Sequence, residues 1–150
     1  MEITPLEKAR RQAFRLLSLR ARSEKEIRNR LTVNHGGTIA DELIRQLREE
    51  GFLNDEAFAR ERARYLAVSR LEGNRAIEAD LLRKGIDRSM ITGAIQAARE
   101  ELSEPEAIRR LLKKRGQPPV PSDRFRTQKT GRYLLSKGFS TGLIFDVLNE

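Results

Sequence analysis

A stretch of fifteen residues occurs twice in this chain, and the recurrence limits the fold more than any other feature. Laying 81–95 on 134–148 without a gap puts Leu81 on Leu134, Leu82 on Leu135, Lys84 on Lys137, Gly85 on Gly138 and Ile86 on Phe139. The same register puts Met90 on Leu143, Ile91 on Ile144, Ala94 on Val147 and Ile95 on Leu148. The pattern is that of a helix end carrying two leucines, a glycine just past it, an apolar residue that closes the turn, and a second helix with an apolar face. Glycine suits that place because a residue turning left-handed after a helix is least strained without a side chain. A fainter third copy lies upstream, where Leu31 stands for Leu81. After three extra residues around His35, Gly36 and Gly37, Ile39, Leu43, Ile44 and Leu47 stand for Ile86, Met90, Ile91 and Ala94. Copies about 50 residues apart imply stacked units, none of which buries its apolar face alone.

The chain reads as helical throughout. After Pro5, residues 6–20 carry Leu6, Ala9, Ala13, Phe14, Leu16 and Leu17 at helical spacing among arginines. Ser23 opens a second helix with Glu26 as its capping-box partner, Val33–Gly37 reads as a loop, and 38–50 as a third helix. Asn54 or Asp55 caps a long helix running to about Arg70, followed by helices over 74–84 and 87–101. Ser103 and Pro105 start a seventh helix, Gly116–Pro121 breaks the pattern, Ser122 or Asp123 opens an eighth, and the ninth covers 140–149. The expected fold is therefore all-α: three tandem three-helix repeats over 1–51, 52–102 and 103–150, forming an elongated, curved array.

Charge narrows the partners. Thirty basic residues against 22 acidic ones leave a net charge of +8. Residues 1–50 hold eleven basic and eight acidic side chains, 51–102 nine of each, and 103–150 ten and five. Such a surface implies nucleic acid or an acidic protein, against the alternative of a merely solvated helical face. The densest set is Arg109, Arg110, Lys113, Lys114, Arg115, Arg124, Arg126, Lys129 and Arg132, interrupted by one acid, Asp123. Arg109, Arg110, Lys113 and Lys114 share a helix face opposite Ile108, Leu111 and Leu112, and such a face can meet phosphates without reading sequence. Phe14, Phe58, Tyr65, Tyr133, Phe139 and Phe145 fall on apolar stripes and read as core, which argues against base stacking.

Catalytic chemistry is poorly supplied. There is no cysteine, and the single histidine, His35, has no second ligand at metal-binding spacing. Gly36 and Gly37 lack the lysine of a phosphate-binding loop, and the pairs Glu49-Glu50 and Glu100-Glu101 read as solvated helix ends. No nucleophile has a positioned base, so a protein without catalytic groups, cofactor or metal is expected. No apolar run approaches a membrane span, and Glu2–Arg15 has no apolar signal core, so a cytoplasmic protein without membrane contact is expected.

Several stretches together resemble the RecX family of recombination regulators. They are Gly51-Phe52-Leu53-Asn54-Asp55-Glu56-Ala57-Phe58-Ala59, then Gly73 with Arg75 and Ile77, then Leu81 to Lys84-Gly85-Ile86, and Tyr133-Leu134-Leu135-Ser136-Lys137-Gly138-Phe139. Ala13–Arg20 with Ser23 and Ile27 is similar to the family's first helix pair, and coverage is nearly end to end. The family's central acidic pair appears here as Asn54-Asp55, and Val33–Gly37 looks more irregular than the family's short turn. The resemblance implies a monomeric, non-enzymatic modulator acting in DNA recombination, repair and the SOS response. It would bind the RecA–DNA filament, lie in its groove, and restrain filament extension, ATP hydrolysis and strand exchange, with sequence-independent DNA contact through phosphates as support. It supplies no catalytic residues, so the basic set from Arg109 to Arg132 is the candidate contact surface on charge alone. The alternatives are a general single- or double-stranded nucleic-acid-binding helical module and a helical scaffold for an acidic protein.

Overall fold

The computed structural model describes residues 2–116 and 124–150, with side chains from Thr127 onward in the second segment. Among the described residues every regular element is helical: α1 (Pro5–Leu19), α2 (Glu24–His35), α3 (Gly37–Glu49), α4 (Asp55–Arg64), α5 (Asn74–Arg83), α6 (Arg88–Glu101), α7 (Glu104–Lys114), α8 (Arg124–Ser136) and α9 (Thr141–Leu148). The break expected at Gly116–Pro121 and the opening of α8 at Ser122 or Asp123 lie largely outside the described residues.

The helix starts follow from side-chain caps, each worth about 1 kcal/mol. Ser23 and Glu26 form the expected box: the Ser23 hydroxyl accepts from the Glu26 N–H at 3.3 Å, and the Glu26 carboxylate accepts from the Ser23 N–H at 3.1 Å. Asn54, not Asp55, caps α4, accepting from the Ala57 N–H at 3.1 Å. Ser103 and Ser140 do the same for α7 and α9.

Three apolar cores follow one another along the chain. Ala9, Ala13, Ile27, Leu31, Leu43, Ile44 and Leu47 form the first, together with Leu53. Phe58, Ala63, Leu66, Ile77, Leu81, Ile91, Ala94 and Ala98 lie in the second. Ile108, Leu111, Leu134, Phe139, Ile144, Val147 and Leu148 lie in the third, joined by Leu71 and Leu102, while Val68 packs against both the second and the third. Each core is fed by three helices, which is the tandem three-helix architecture.

The aligned glycines hold the same turn. Gly85 has φ +78° and Gly138 φ +98°. The N–H of Ile86 bonds to the Leu81 carbonyl at 3.1 Å, and that of Phe139 to the Leu134 carbonyl at 3.3 Å, so both turns satisfy the same exposed helix carbonyls. Two expectations need correction. Val33–Gly37 is not a loop: α2 continues through His35, and Gly36 alone separates it from α3, so the extra residues lengthen a helix instead of a connection. The long helix to Arg70 is not regular: Tyr65–Ser69 widens into a π-turn, in which the Arg70 N–H reaches the Tyr65 carbonyl at 3.1 Å. Behind it Leu71, at φ +55°, adopts a left-handed conformation that costs an L-residue about 1–2 kcal/mol, and its side chain enters the third core.

Successive repeats meet through one recurring joint. The Asp55 carboxylate accepts from the Glu24 N–H at 2.9 Å, and the Glu24 carboxylate accepts from Arg48 at 2.7 and 2.9 Å. One repeat on, the Glu104 carboxylate accepts from the Asn74 N–H at 3.1 Å, and the Asn74 side-chain oxygen accepts from Arg99 at 2.7 Å. The first acid of each following repeat thus satisfies the first N–H of the second helix before it. The glycine turn packs on that same helix start: a β-carbon on Gly85 would come 2.7 Å from the Lys25 side chain, and one on Gly138 would strike Ala76. At the second joint the main chains also bond directly, Gly73 N–H to the Lys137 carbonyl at 2.8 Å and Arg75 N–H to the Gly138 carbonyl at 3.1 Å. At the first joint the equivalent N–H, that of Ser23, is taken by Glu26.

Candidate binding surface

The basic set divides once its neighbours are placed. Arg109 is exposed but engaged by the protein's own acids: its Nε donates to Glu150 at 3.2 Å, a second nitrogen also reaches Glu150, and a third bond goes to Glu106 at 3.3 Å. These bonds, that to Glu150 first, hold the Arg109 guanidinium above its ordinary pKa and the Glu150 carboxylate below its own. Arg110 lies 3.8 Å from Glu106. Lys113 and Lys114, one turn on, are exposed and make no ion pair among the described residues.

Arg115 joins the two helices of this surface. Its guanidinium carbon sits 3.9 Å from the centre of the Tyr133 ring, a cation–π contact that brings the last turn of α7 against α8. Lys129 and Arg132 are exposed on α8, so the contact sets the end of α7, which carries Lys113 and Lys114, against the helix that carries Lys129 and Arg132. Arg132 also lines a groove of about 430 Å³ between α8 and α9, with Gln128, Gly131, Leu135, Thr141 and Ile144. The side chains of Arg124 and Arg126 lie outside the described residues.

The aromatic residues do not all pack as expected. Phe58 and Phe139 are buried, but Tyr65 is 44 % and Phe145 66 % exposed. Tyr65 begins the π-turn, where its ring lies 5.5 Å from the Arg62 guanidinium; on α9 the inward stripe is Ile144, Val147 and Leu148, which turns Phe145 out. Three of the four carboxylates in those pairs are engaged by arginines: Glu50 by Arg10, Glu49 by Arg45 and Glu101 by Arg64. The His35 ring Nε2 is 2.7 Å from the Gln12 side-chain oxygen.

A second basic face was not singled out from the sequence. On α1, Arg10 points toward α3 and pairs with Glu50 at 2.8 Å, whereas Lys8, Arg11 and Arg15 are exposed and make no ion pair among the described residues. Their spacing of three and four residues places them on one face of the helix. That spacing was readable in the sequence, but partner choice separates Arg10 from its neighbours only in three dimensions.

Fold and surface together define a tandem three-helix-repeat protein with uncompensated cations on its first and third repeats. Profiles described as the first, second and third three-helix domains of RecX match residues 9–34, 54–95 and 103–148. The regulatory protein RecX of Syntrophotalea carbinolica is 33 % identical over 147 residues, covering 92 % of this chain and 92 % of that one. That of Corynebacterium efficiens is 31 % identical, over 94 % of this chain and 70 % of the relative. The chain spans about half the length of the Listeria monocytogenes RecX proteins it matches, 49 % at 31 % identity. A crystal structure titled regulatory protein RecX superposes with a TM-score of 0.80 at 27 % identity, covering 97 % of this chain and 72 % of that one. RecX from Lactobacillus salivarius shares the fold at a TM-score of 0.77 and 23 % identity, covering 97 % and 95 %. The chain belongs to the RecX family of regulatory proteins.

Proposed function

We propose that the protein is a non-enzymatic regulator that binds the RecA–DNA filament and restrains its extension, ATP hydrolysis and strand exchange. Family membership supports the regulator reading. The observation that supports contact with a nucleoprotein filament is the Arg115–Tyr133 stack between α7 and α8, two helices on which Lys113, Lys114, Lys129 and Arg132 are exposed. Cations without internal partners are free to displace counterions from a phosphate backbone, which gives affinity without sequence preference. Within the basic set, Lys113, Lys114, Lys129 and Arg132 act most directly, and Arg109 least, because Glu150 and Glu106 occupy it.

The test is RecA ATP hydrolysis on single-stranded DNA, titrated with substoichiometric protein beside the protein's affinity for the same DNA alone. Inhibition well below the concentration that coats free DNA is the expected result. Inhibition only at saturation of the DNA would replace this reading with that of a general nucleic-acid-binding module.

A further inference from the structure

The first repeat carries an unassigned surface whose geometry is independent of the α7–α8 cluster. Lys8, Arg11 and Arg15 occupy positions i, i+3 and i+7 of α1, spanning about 10 Å along the helix axis. Arg11 and Arg15 stand between two grooves. One, of about 330 Å³, is closed on its far side by Asn34 and His35 at the end of α2; the other, of about 710 Å³, runs along α1 past Phe14 to Ser18. Glu7, one turn before Arg11, is the acid of this helix and lines the larger groove together with Arg10, while its charge also complements the helix N-terminus. Gln12 and Asn34 add polar groups at the groove wall. We propose that this α1 ridge is a second nucleic-acid contact, in which Lys8, Arg11 and Arg15 bind consecutive phosphates of a single strand and Gln12 and Asn34 flank the sugar–phosphate chain.

The choice of a polyanion rests on charge and spacing. Three exposed cations in a row with no ion pair among the described residues repel one another, and a chain of phosphates relieves that repulsion along its length. The first and third repeats would then both touch nucleic acid, and binding at one raises the effective concentration at the other. The proposal extends the reading above from one basic surface to two, and it depends on that reading only for what happens on a filament.

The experiment uses the full chain and a fluorescent oligothymidylate, without recombinase, over a series of salt concentrations. The variant Lys8→Gln/Arg11→Gln/Arg15→Gln is expected to bind more weakly, with the slope of log affinity against log salt shallower by about 2, at roughly 0.7 per phosphate contact on a single strand. Lys8→Arg/Arg11→Lys/Arg15→Lys, which keeps the charges, is expected to retain the wild-type slope. An unchanged slope in the neutral variant, with circular dichroism confirming the same helicity, overturns the proposal. So does a variant that keeps its slope on bare DNA yet loses inhibition of RecA, since the ridge would then meet protein. If the neutral variant shows the expected shallower slope but the wild-type protein never inhibits RecA, the ridge stands and only the regulator reading is removed.

Discussion

The backbone N–H of Gly73 donates to the carbonyl of Lys137 at 2.8 Å, so the main chain of the second repeat is bonded directly to that of the third. The approach leaves no room for a side chain: a β-carbon on Gly73 would overlap the Gly138 peptide. Because Gly73 has an ordinary φ of −84°, its requirement is steric, not conformational. Gly73→Ala is expected to destabilise the fold by about 1–3 kcal/mol in urea unfolding, as overpacking against an immovable backbone does. Gly131→Ala in α8, where a β-carbon meets open space, is expected to stabilise by about 0.5–1 kcal/mol.

The two joints use the same positions with different burial, and that sets their energies apart. Arg99 is half-buried, and burial lowers its pKa against the opposing pull of Glu104; it donates to Asn74 and to the carbonyls of Glu72 and Leu102. Arg48, its counterpart at the first joint, is exposed and pairs with Glu24 alone. Arg99→Met is therefore expected to cost about 1–3 kcal/mol by leaving three part-buried acceptors unpaired. Arg48→Met is expected to cost under about 1 kcal/mol, the range of surface ion pairs. Equal losses in matched urea titrations would contradict this account of the joints.

Asp80 makes stability depend on acid in a definite direction. Burial pushes its carboxyl pKa up most strongly, but hydrogen bonds from Arg62 at 3.1 Å and Lys84 at 3.1 Å together outweigh burial and hold it below the ordinary carboxylate value. The native state therefore binds this proton less readily than the unfolded chain. The stabilisation is complete above the unfolded value of about 3.9 and fades as pH falls through the lower folded value. Asp80→Asn is expected to lose about 1–3 kcal/mol at neutral pH, below the 3–5 typical of a broken buried pair because Arg62 and Lys84 are partly solvated. The difference between wild type and variant is expected to shrink as the pH of unfolding is lowered below 4, and a constant difference would refute the linkage.

What the sequence disclosed is local, and what it withheld depends on distant partners. The Gly85 and Gly138 turns were readable because a left-handed residue after a helix almost demands glycine, and the Ser23–Glu26 box because its two bonds span three residues. The length of α2 was not, since Gly36 and Gly37 signal a loop, yet one of them starts α3. The π-turn at Tyr65 has no such signal, because what it achieves is the delivery of Val68 and Leu71 to a core whose other members lie from Leu102 onward. The candidate surface fared likewise: the charge run was visible, but Arg109 finds Glu150 across 41 residues and Arg10 finds Glu50 across 40. Sequence counted the cations; only folding decides which of them are free.

That division predicts an increase in binding from the removal of an acid. Lys113→Gln/Lys114→Gln should make the salt slope on single-stranded DNA shallower by about 1.4, two contacts at roughly 0.7 each. Arg109→Gln should change it little, since its guanidinium already has Glu150 and Glu106 as partners. Glu150→Gln removes the stronger of those partners, so the released Arg109 gains freedom to reach a phosphate, and affinity should rise with a slope steeper by up to about 0.7. Asp146→Asn removes the same charge from the exposed side of α9 without releasing an arginine, and serves as the control for net charge. If Glu150→Gln and Asp146→Asn raise affinity equally and leave the slope alone, overall charge alone is acting, and Arg109 has no latent place in the contact surface.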